Sequence, residues 1–252
     1  MNRLLHRLLY RLLPLPCYLR TVSRLYFLAL RLGRGRRTRA LEYVYHLPAL
    51  VGKGDTVIDI GANLGYYTVP LSRLAGPQGA VLAVEPVPVI YDVLRRNAAG
   101  CGNVTAYNCA LGAENRPVEM ANDSVAAAGY FGTGRNFVDD GGSADKGAIR
   151  FSAQMRRGSE LFGGLRRIDF IKCDIEGYEC VVLGEMMPLI RRHRPTLLVE
   201  SGGGNRLQIV AALRGEGYEP FVLGGDGREH PLDPAADDGR DIIFRYKAST
   251  EQ

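Results

Sequence analysis

The sequence predicts a doubly wound, mostly parallel α/β domain with a helical arm in front of it, and three observations carry that expectation. From residue 55 onward, short β-branched runs alternate with amphipathic stretches of helical length. A glycine-bearing turn, "DIGANLG", follows the first of those runs. The leading 40 residues are compositionally unlike the rest. They hold ten arginines and no lysine, aspartate or glutamate, so the formal charge of +5 resolves into +10 in the arm and −5 in the body.

The arm, residues 1–40, opens "MNRLLHRLLYRLLPLP". Leucines at 4, 5, 8, 9, 12 and 13 fall on one helical stripe, with Arg3, Arg7 and Arg11 beside it. Pro14 and Pro16 end that helix, and a second apolar stretch, "YLRTVSRLYFLALRLGRGRR", follows. Such an arm has two uses. It can pack on the body or on a second copy of the chain, or it can lie on an anionic membrane surface through residues 1–36.

The body, residues 41–252, reads as one domain. "TVIDI" is a buried strand and "GYYTVPLSRLAG" a helix ending at Gly76. "AVLAVEP" is a second strand, "PVIYDVLRRNAAG" a helix, and "NVTAYNCAL" a third strand. After an interruption come "IDFIKCD" as a strand, "YECVVLGEMMPLIRRH" as one helix, "PTLLVE" as a strand and "RLQIVAALRGEG" as a helix. "YEPFVL" and "DIIFRY" close the pattern as a hairpin, which places an antiparallel strand at the sheet edge. The interruption, about residues 113–165, is rich in Gly, Asp, Ser and Ala. It reads as a hairpin or as a lid over the open end of the sheet.

Composition excludes several classes. No run of about 18 apolar residues is present, so no segment is long enough to span a bilayer as a helix. The five cysteines form no CxxC pair, which argues against a zinc knuckle or a secreted disulfide framework and for a cytoplasmic protein. If the arm meets a membrane, the contact is peripheral and on the inner face. The acidic body disfavours a nucleic-acid groove.

In an open parallel sheet, ligands bind past the carboxyl ends of the strands where the strand order reverses. The turn there reads Asp59-Ile60-Gly61-Ala62-Asn63-Leu64-Gly65. Gly61 and Gly65 sit four apart, which is neither GxGxxG nor a phosphate-cradling P-loop. A dinucleotide needs backbone N–H groups for its pyrophosphate and no nearby carboxylate. S-adenosylmethionine has no phosphate and a cationic methionine end, which suits Asp59. Asn63 can tie the turn to its own backbone. Glu85, at the end of the second strand, can accept both ribose hydroxyls, a feature NAD sites share. Asn108 and the Cys109–Ala110 backbone offer an adenine edge and floor. An NAD-dependent oxidoreductase, or a cofactor-binding scaffold without catalysis, stands as the alternative.

A second constellation, "IDFIKCDIEGYE", gathers Asp174, Glu176 and Glu179 just past a strand that carries Lys172. Helix capping and pairing with Lys172 account for one or two of these acids but not for all of them beside the cofactor crevice. Asp174 is the first candidate for a general base and Glu176 the second, with Lys172 orienting the acid or steering the acceptor. No histidine joins the cluster, and no metal is expected.

With "VIDIGANLGYYT", "AVEP", "NCALG", "IDFIKCDIEGYE" and "LLVE" in hand, the chain resembles the FkbM-type methyltransferases over about residues 40–246. The resemblance implies a seven-stranded, Rossmann-like class I methyltransferase sheet and S-adenosyl-L-methionine as cofactor. It implies transfer of a methyl group to a hydroxyl of a sugar, glycolipid or natural-product acceptor. It implies a cofactor role for Asp59, Gly61, Asn63, Gly65 and Glu85. It marks Lys172, Asp174, Glu176, Gly177 and Glu179 as the family signature. The chain departs from the pattern at "RFSAQMRRGSELFGGL", where the family shows a strand leading into Thr-Leu-Asp, and at Arg240-Asp241, where an Asn is expected.

Overall fold

The computed structural model of the chain describes residues 3–36, 38, 41–142, 144–233, 237 and 241–247. Positions 1, 2, 37, 39 and 40 of the arm and Arg240 lie outside them.

The arm forms α1 (Arg3–Leu12) and α2 (Leu15–Arg31), parted at Pro14, with Pro16 in the first turn of α2, where a missing N–H costs nothing. Next come α3 (Glu42–His46), β1 (Thr56–Ile60), α4 (Thr68–Ala75), β2 (Ala80–Val84), α5 (Pro88–Asn97) and β3 (Val104–Tyr107). The chain then leaves the main sheet for β4 (Ala110–Leu111), β5 (Arg116–Asn122), α6 (Ser124–Ala128), β6 (Asn136–Val138) and β7 (Ile149–Arg156). After α7 (Gly158–Leu161) it returns with β8 (Phe170–Cys173), α8 (Glu179–Glu185), α9 (Met187–His193) and β9 (Thr196–Val199). It ends with α10 (Gly203–Gly215), β10 (Tyr218–Leu223), β11 (Glu229–Pro231) and β12 (Ile242–Tyr246).

The main sheet runs β11-β10-β12-β9-β8-β1-β2-β3. The five strands from β9 to β3 are mutually parallel. Strand order reverses between β1 and β8, which places the ligand crevice there. Both faces of the sheet are covered, and side-chain alternation sorts the core. Ile58, Ile171 and Leu197 pack on one face with Val182, Ile190 and Leu213 of α8, α9 and α10. Val57, Phe170 and Leu198 pack on the other with Leu71 and Ala75 of α4. A strand buried on both faces reads as an unbroken apolar run, which is how these strands were legible.

Four expectations are corrected. The last two runs do pair antiparallel, as β10 with β12, but β12 does not lie at the edge; it is inserted antiparallel between β9 and β10. Its Ile242, Ile243 and Phe244 are fully buried, and an edge could not cover such a run. The edge belongs instead to an eighth strand, β11, which carries Pro231 where a ladder donor is not needed. "NVTAYNCAL" splits at Asn108 into β3 and β4, which lie in different sheets. The long helix expected over 178–193 breaks at Met186, because Pro188 cannot donate to the preceding turn and restarts the helix as α9.

The interruption is a second sheet, order β4-β7-β5-β6, whose Met120 and Met155 pack with α5 and the arm. Within the arm, α2 is part of the body: Tyr18 and Leu19 are 1% and 0% exposed, and the Tyr18 hydroxyl donates to the Phe131 carbonyl. α1 buries no residue completely, and its Leu4 is 68% exposed. No helix among the described residues is long and apolar enough to cross a membrane. Leu19→Ala therefore removes buried contacts and leaves a cavity, lowering unfolding free energy by about 2–5 kcal/mol. Leu4→Ala changes it by under about 0.5 kcal/mol. Urea denaturation of the two variants checks the contrast.

Candidate active site

The turns after β1 and β8 are pressed together. Register sets Ile60 beside Cys173, so the two chains leave the sheet side by side. Gly61 has φ 77, and a Cβ there would lie 1.8 Å from the Asp174 carbonyl oxygen. No side chain fits that space. Gly65, φ 88, sits against α5, where a Cβ would meet Leu94 Cδ1 at 3.1 Å. Asn63 is also left-handed, φ 52, and its Oδ1 accepts the Leu64 N–H at 2.8 Å.

Glu85, one residue past β2, faces that turn. Its Oε2 accepts the Asn63 N–H at 3.0 Å and its Oε1 the Val87 N–H at 2.9 Å. Burial raises its pKa to about 7, against the pull of those two N–H groups. Each carboxylate oxygen has a second lone pair for a ligand hydroxyl. Asn108 is placed differently from the adenine edge expected of it. Its amide donates to the carbonyls of Glu85 at 2.9 Å and Pro86 at 3.0 Å, clamping the end of β2. Cys109 and Ala110 do face the cleft.

Gly61, Asn63, Glu85 and Ala110 line one wall of this cleft past the strand ends, and Met120 and Val138 of the second sheet line the other. Ile60, Val84 and Leu111 make part of it apolar. A flat purine between aliphatic walls, with its ribose on an anchored carboxylate, suits these residues, and a pyrophosphate would meet Glu85 and Asp174. The donor and acceptor set thus fits S-adenosylmethionine. Asp59 is not in the lining. Strand alternation turns it toward α4, where it is fully buried and its Oδ2 accepts from the Thr68 hydroxyl at 2.6 Å. Its Oδ1 has no hydrogen-bond partner, and burial pushes its pKa up. The carboxylates that reach the cleft are those of Glu85, Asp174 and Glu176.

Lys172 and Asp174 share a face of β8 by alternation, and Lys172 Nζ donates to Asp174 Oδ2 at 2.8 Å. The lysine side chain is 4% exposed and the aspartate 28%, so the pair has one end in the core and one in the cleft. Burial opposes the lysine's charge, but Asp174 and Asp59 outweigh it, and its pKa rises above the ordinary lysine value. The ammonium also lies 4.6 Å from the centre of the Tyr67 ring. Glu179 shapes the turn: its Oε1 accepts the N–H groups of Ile175 and Gly177 at 3.1 and 3.0 Å. Gly177 has φ 100 and Glu176 φ 54, a left-handed pair that turns the Glu176 side chain toward Gly134 under the second sheet. Desolvation first, then Asp174 and Glu179, raise Glu176 to about 7.

Two acids join this centre that the motif search did not single out. Glu200, just past β9, is raised to about 8 by desolvation and then by Asp174 and Asp241. Asp241, just before β12, is raised to about 7 by desolvation and then by Asp174. Glu200 carried a signal, since it ends a strand as Glu85 does. Asp241 precedes its strand and reaches the same edge only because β12 is antiparallel. Among the described residues no three His, Cys, Asp or Glu side chains are grouped to hold a metal ion.

Comparison with known proteins gives one family and several relatives. The profile of the methyltransferase FkbM domain matches residues 59–220, which hold both turns. Methyltransferase sdnD of Sordaria araneosa is 29% identical over 197 residues, covering 65% of this chain and 73% of that protein. A protein-L-isoaspartate O-methyltransferase of Methanococcoides burtonii is 39% identical over 60 residues, 23% of this chain and 30% of that protein. The crystal structure of methyltransferase FkbM from Methylobacillus flagellatus KT matches in fold with a TM-score of 0.52 at 16% identity. That match covers 78% of this chain but 45% of the other, so the chain spans less than half of that protein's length.

A Glu85 that receives the cofactor ribose should make cofactor affinity depend on pH. Below its pKa of about 7 the group is a neutral acid and a weaker acceptor for ribose hydroxyls; above it the charge-assisted bonds form. Affinity for S-adenosylhomocysteine is expected to rise by about tenfold between about pH 6 and 8, roughly 1.4 kcal/mol. Glu85→Gln should flatten that rise, as read by isothermal titration at each pH.

Proposed function

Because the chain belongs to the FkbM methyltransferase family, we propose that it methylates a hydroxyl oxygen of a sugar, glycolipid or natural-product acceptor. It is an S-adenosylmethionine-dependent methyltransferase, and that membership sets aside the dinucleotide-dependent oxidoreductase and the scaffold without catalysis. The observation that supports an oxygen acceptor is the Lys172–Asp174 pair, buried at one end and open to the cleft at the other.

Bound S-adenosylmethionine supplies a methyl group already activated on a cationic sulfur. The protein is left with alignment and with taking the hydroxyl proton. Lys172 holds Asp174 Oδ2 and Glu200 also hydrogen-bonds the Asp174 carboxyl, which still has lone pairs to accept the hydrogen bond of an incoming hydroxyl. Glu176, with its pKa near 7, has the proton affinity of a base that works near neutral pH. The Asp174 carboxylate acts on both Glu176 and Glu200 and helps to raise each of them. Asp174 and Glu176, which both reach the cleft, offer acceptors to more than one hydroxyl, which favours a polyhydroxylated acceptor.

Asp174→Asn should lower kcat by about 10²–10⁴-fold and leave S-adenosylhomocysteine affinity within about twofold. Methyl-transfer assays on a panel of sugars and natural-product alcohols, read by the mass gain of one methyl, give the first number and calorimetry the second. Retained turnover would remove Asp174 from the reaction. A base must be deprotonated to work, so wild-type kcat should climb with pH and level off above about 7. Glu176→Gln should abolish that limb. If it does not, Glu176 carries no proton in the rate-limiting step.

A further inference from the structure

Away from the cofactor cleft, a second cleft opens on the helix layer. Arg20, Arg24 and Arg31 of α2, Arg73 of α4 and Arg96 of α5 line it. Elsewhere in the body arginines hold carboxylates, as Arg116, Arg150, Arg191 and Arg245 do. None of the five has an ion-pair partner among the described residues, and Arg20 Nε is buried with no hydrogen-bond acceptor. The three on α2 recur along one helical face, while Arg73 and Arg96 are added only by tertiary packing. Five like charges in one concavity repel one another, so the fold maintains a site whose counter-charge comes from outside the chain.

The border of this cleft narrows the ligand. Leu28 lies in its lining and is 51% exposed; Leu25 and Leu32, on the adjoining side of α2, are 39% and 60% exposed. A soluble phosphate would satisfy the guanidiniums and leave that leucine row in water. An anionic bilayer satisfies both, with headgroup phosphates among the arginines and leucines at the acyl boundary. We propose that this cleft binds phosphate headgroups of an anionic membrane surface and, with the leucines of α2, seats the protein on it. The site is separate from the chemistry: it shares no lining residue with the cofactor cleft. The two regions touch at the glycine turn, where Asn97 and Val69 of the arginine cleft donate to the Leu64 carbonyl at 2.8 Å and the Gly65 carbonyl at 3.1 Å.

The test uses the full chain in flotation with vesicles of phosphatidylglycerol and phosphatidylcholine, against vesicles of phosphatidylcholine alone. Binding to the anionic vesicles only, weakening as salt rises, is expected. Arg73→Gln with Arg96→Gln should weaken it by about tenfold or more, with S-adenosylhomocysteine affinity and melting temperature unchanged. Those two residues belong to the body, so an arm that bound lipid by its own amphipathicity would not respond to them. Arg24→Gln with Arg31→Gln is the second variant and should give a similar loss. Wild-type protein that ignores anionic vesicles overturns the proposal, and so do stable variants that bind as tightly as wild type. Saturation by inorganic phosphate or by RNA, without vesicle binding, would reassign the cleft to a soluble anion or a nucleic acid and likewise overturn it.

Discussion

The carboxyl edge of the main sheet is organised around one buried ammonium. Lys172 stands directly beside Asp59 in the β1–β8 register, donates to Asp174 on its own strand, and lies over the ring of Tyr67. Each of these groups would be unfavourable there without it. Asp59 is fully enclosed with one oxygen unpartnered, and Asp174 has Glu176, Glu200 and Asp241 for neighbours. A buried ion pair of this kind is a poor source of net stability, because desolvation offsets much of the attraction. Breaking it is a different matter, since an uncompensated charge left inside costs about 3–5 kcal/mol. The pair therefore acts as a positional constraint, holding the Asp174 carboxylate at the lip of the cleft.

That constraint is tied to the turn after β1 by a contact with no slack in it. Gly61 lies against the Asp174 carbonyl so closely that no side chain could separate the two turns. One turn leads to Asn63, Glu85 and the cofactor wall; the other leads to Asp174 and Glu176. Methyl transfer in line depends on reacting atoms held at about 3–3.5 Å. A fold that makes the donor turn and the acceptor acids adjacent pieces of backbone meets that requirement with few moving parts. Met120 and Val138 of the second sheet close the same cleft from above, and an apolar cover strengthens every polar interaction beneath it.

Most of this edge could be read in the chain itself, for physical reasons that differ by residue. β2 and β9 are short, nearly continuous apolar runs, and β1 and β8 are broken by one charged residue each, Asp59 and Lys172, a pattern that a doubly covered sheet accommodates. Gly61, Gly65 and Gly177 announce left-handed turns, and all three have positive φ. Lys172 and Asp174 fall on one face by the period of a strand. What could not be read depends on neighbours chosen by tertiary packing. Asp59 turns away from the ligand because α4 offers Thr68. Asn108 serves the Glu85 and Pro86 carbonyls because β3 ends beside β2. Asp241 enters the site because an antiparallel strand was threaded between β9 and β10. The second sheet pairs β4 with β7, strands more than 35 residues apart, and no local pattern in a Gly- and Asp-rich stretch encodes that partner.

The same logic explains where the charges of the chain reside. Acids collect at the carboxyl edge, around Lys172, where the proposed reaction would bring hydroxyl donors and a cationic sulfur. Any phosphate approaching that edge would meet Glu85, Asp174, Glu176, Glu200 and Asp241. An anion-binding function has to be built elsewhere, and Arg20, Arg24 and Arg31 are held away from that edge by α2, whose Tyr18 and Leu19 fix it against the body. Docking α2 this way fixes its Arg20, Arg24 and Arg31 beside Arg73 and Arg96. Among the described residues, the arginines of that cleft and the acids of the strand ends thus line separate sites. That separation lets one small domain present a cationic cleft on its helix layer and an acidic pocket at its strand ends, with Asn97 and Val69 hydrogen-bonded to the glycine turn between them.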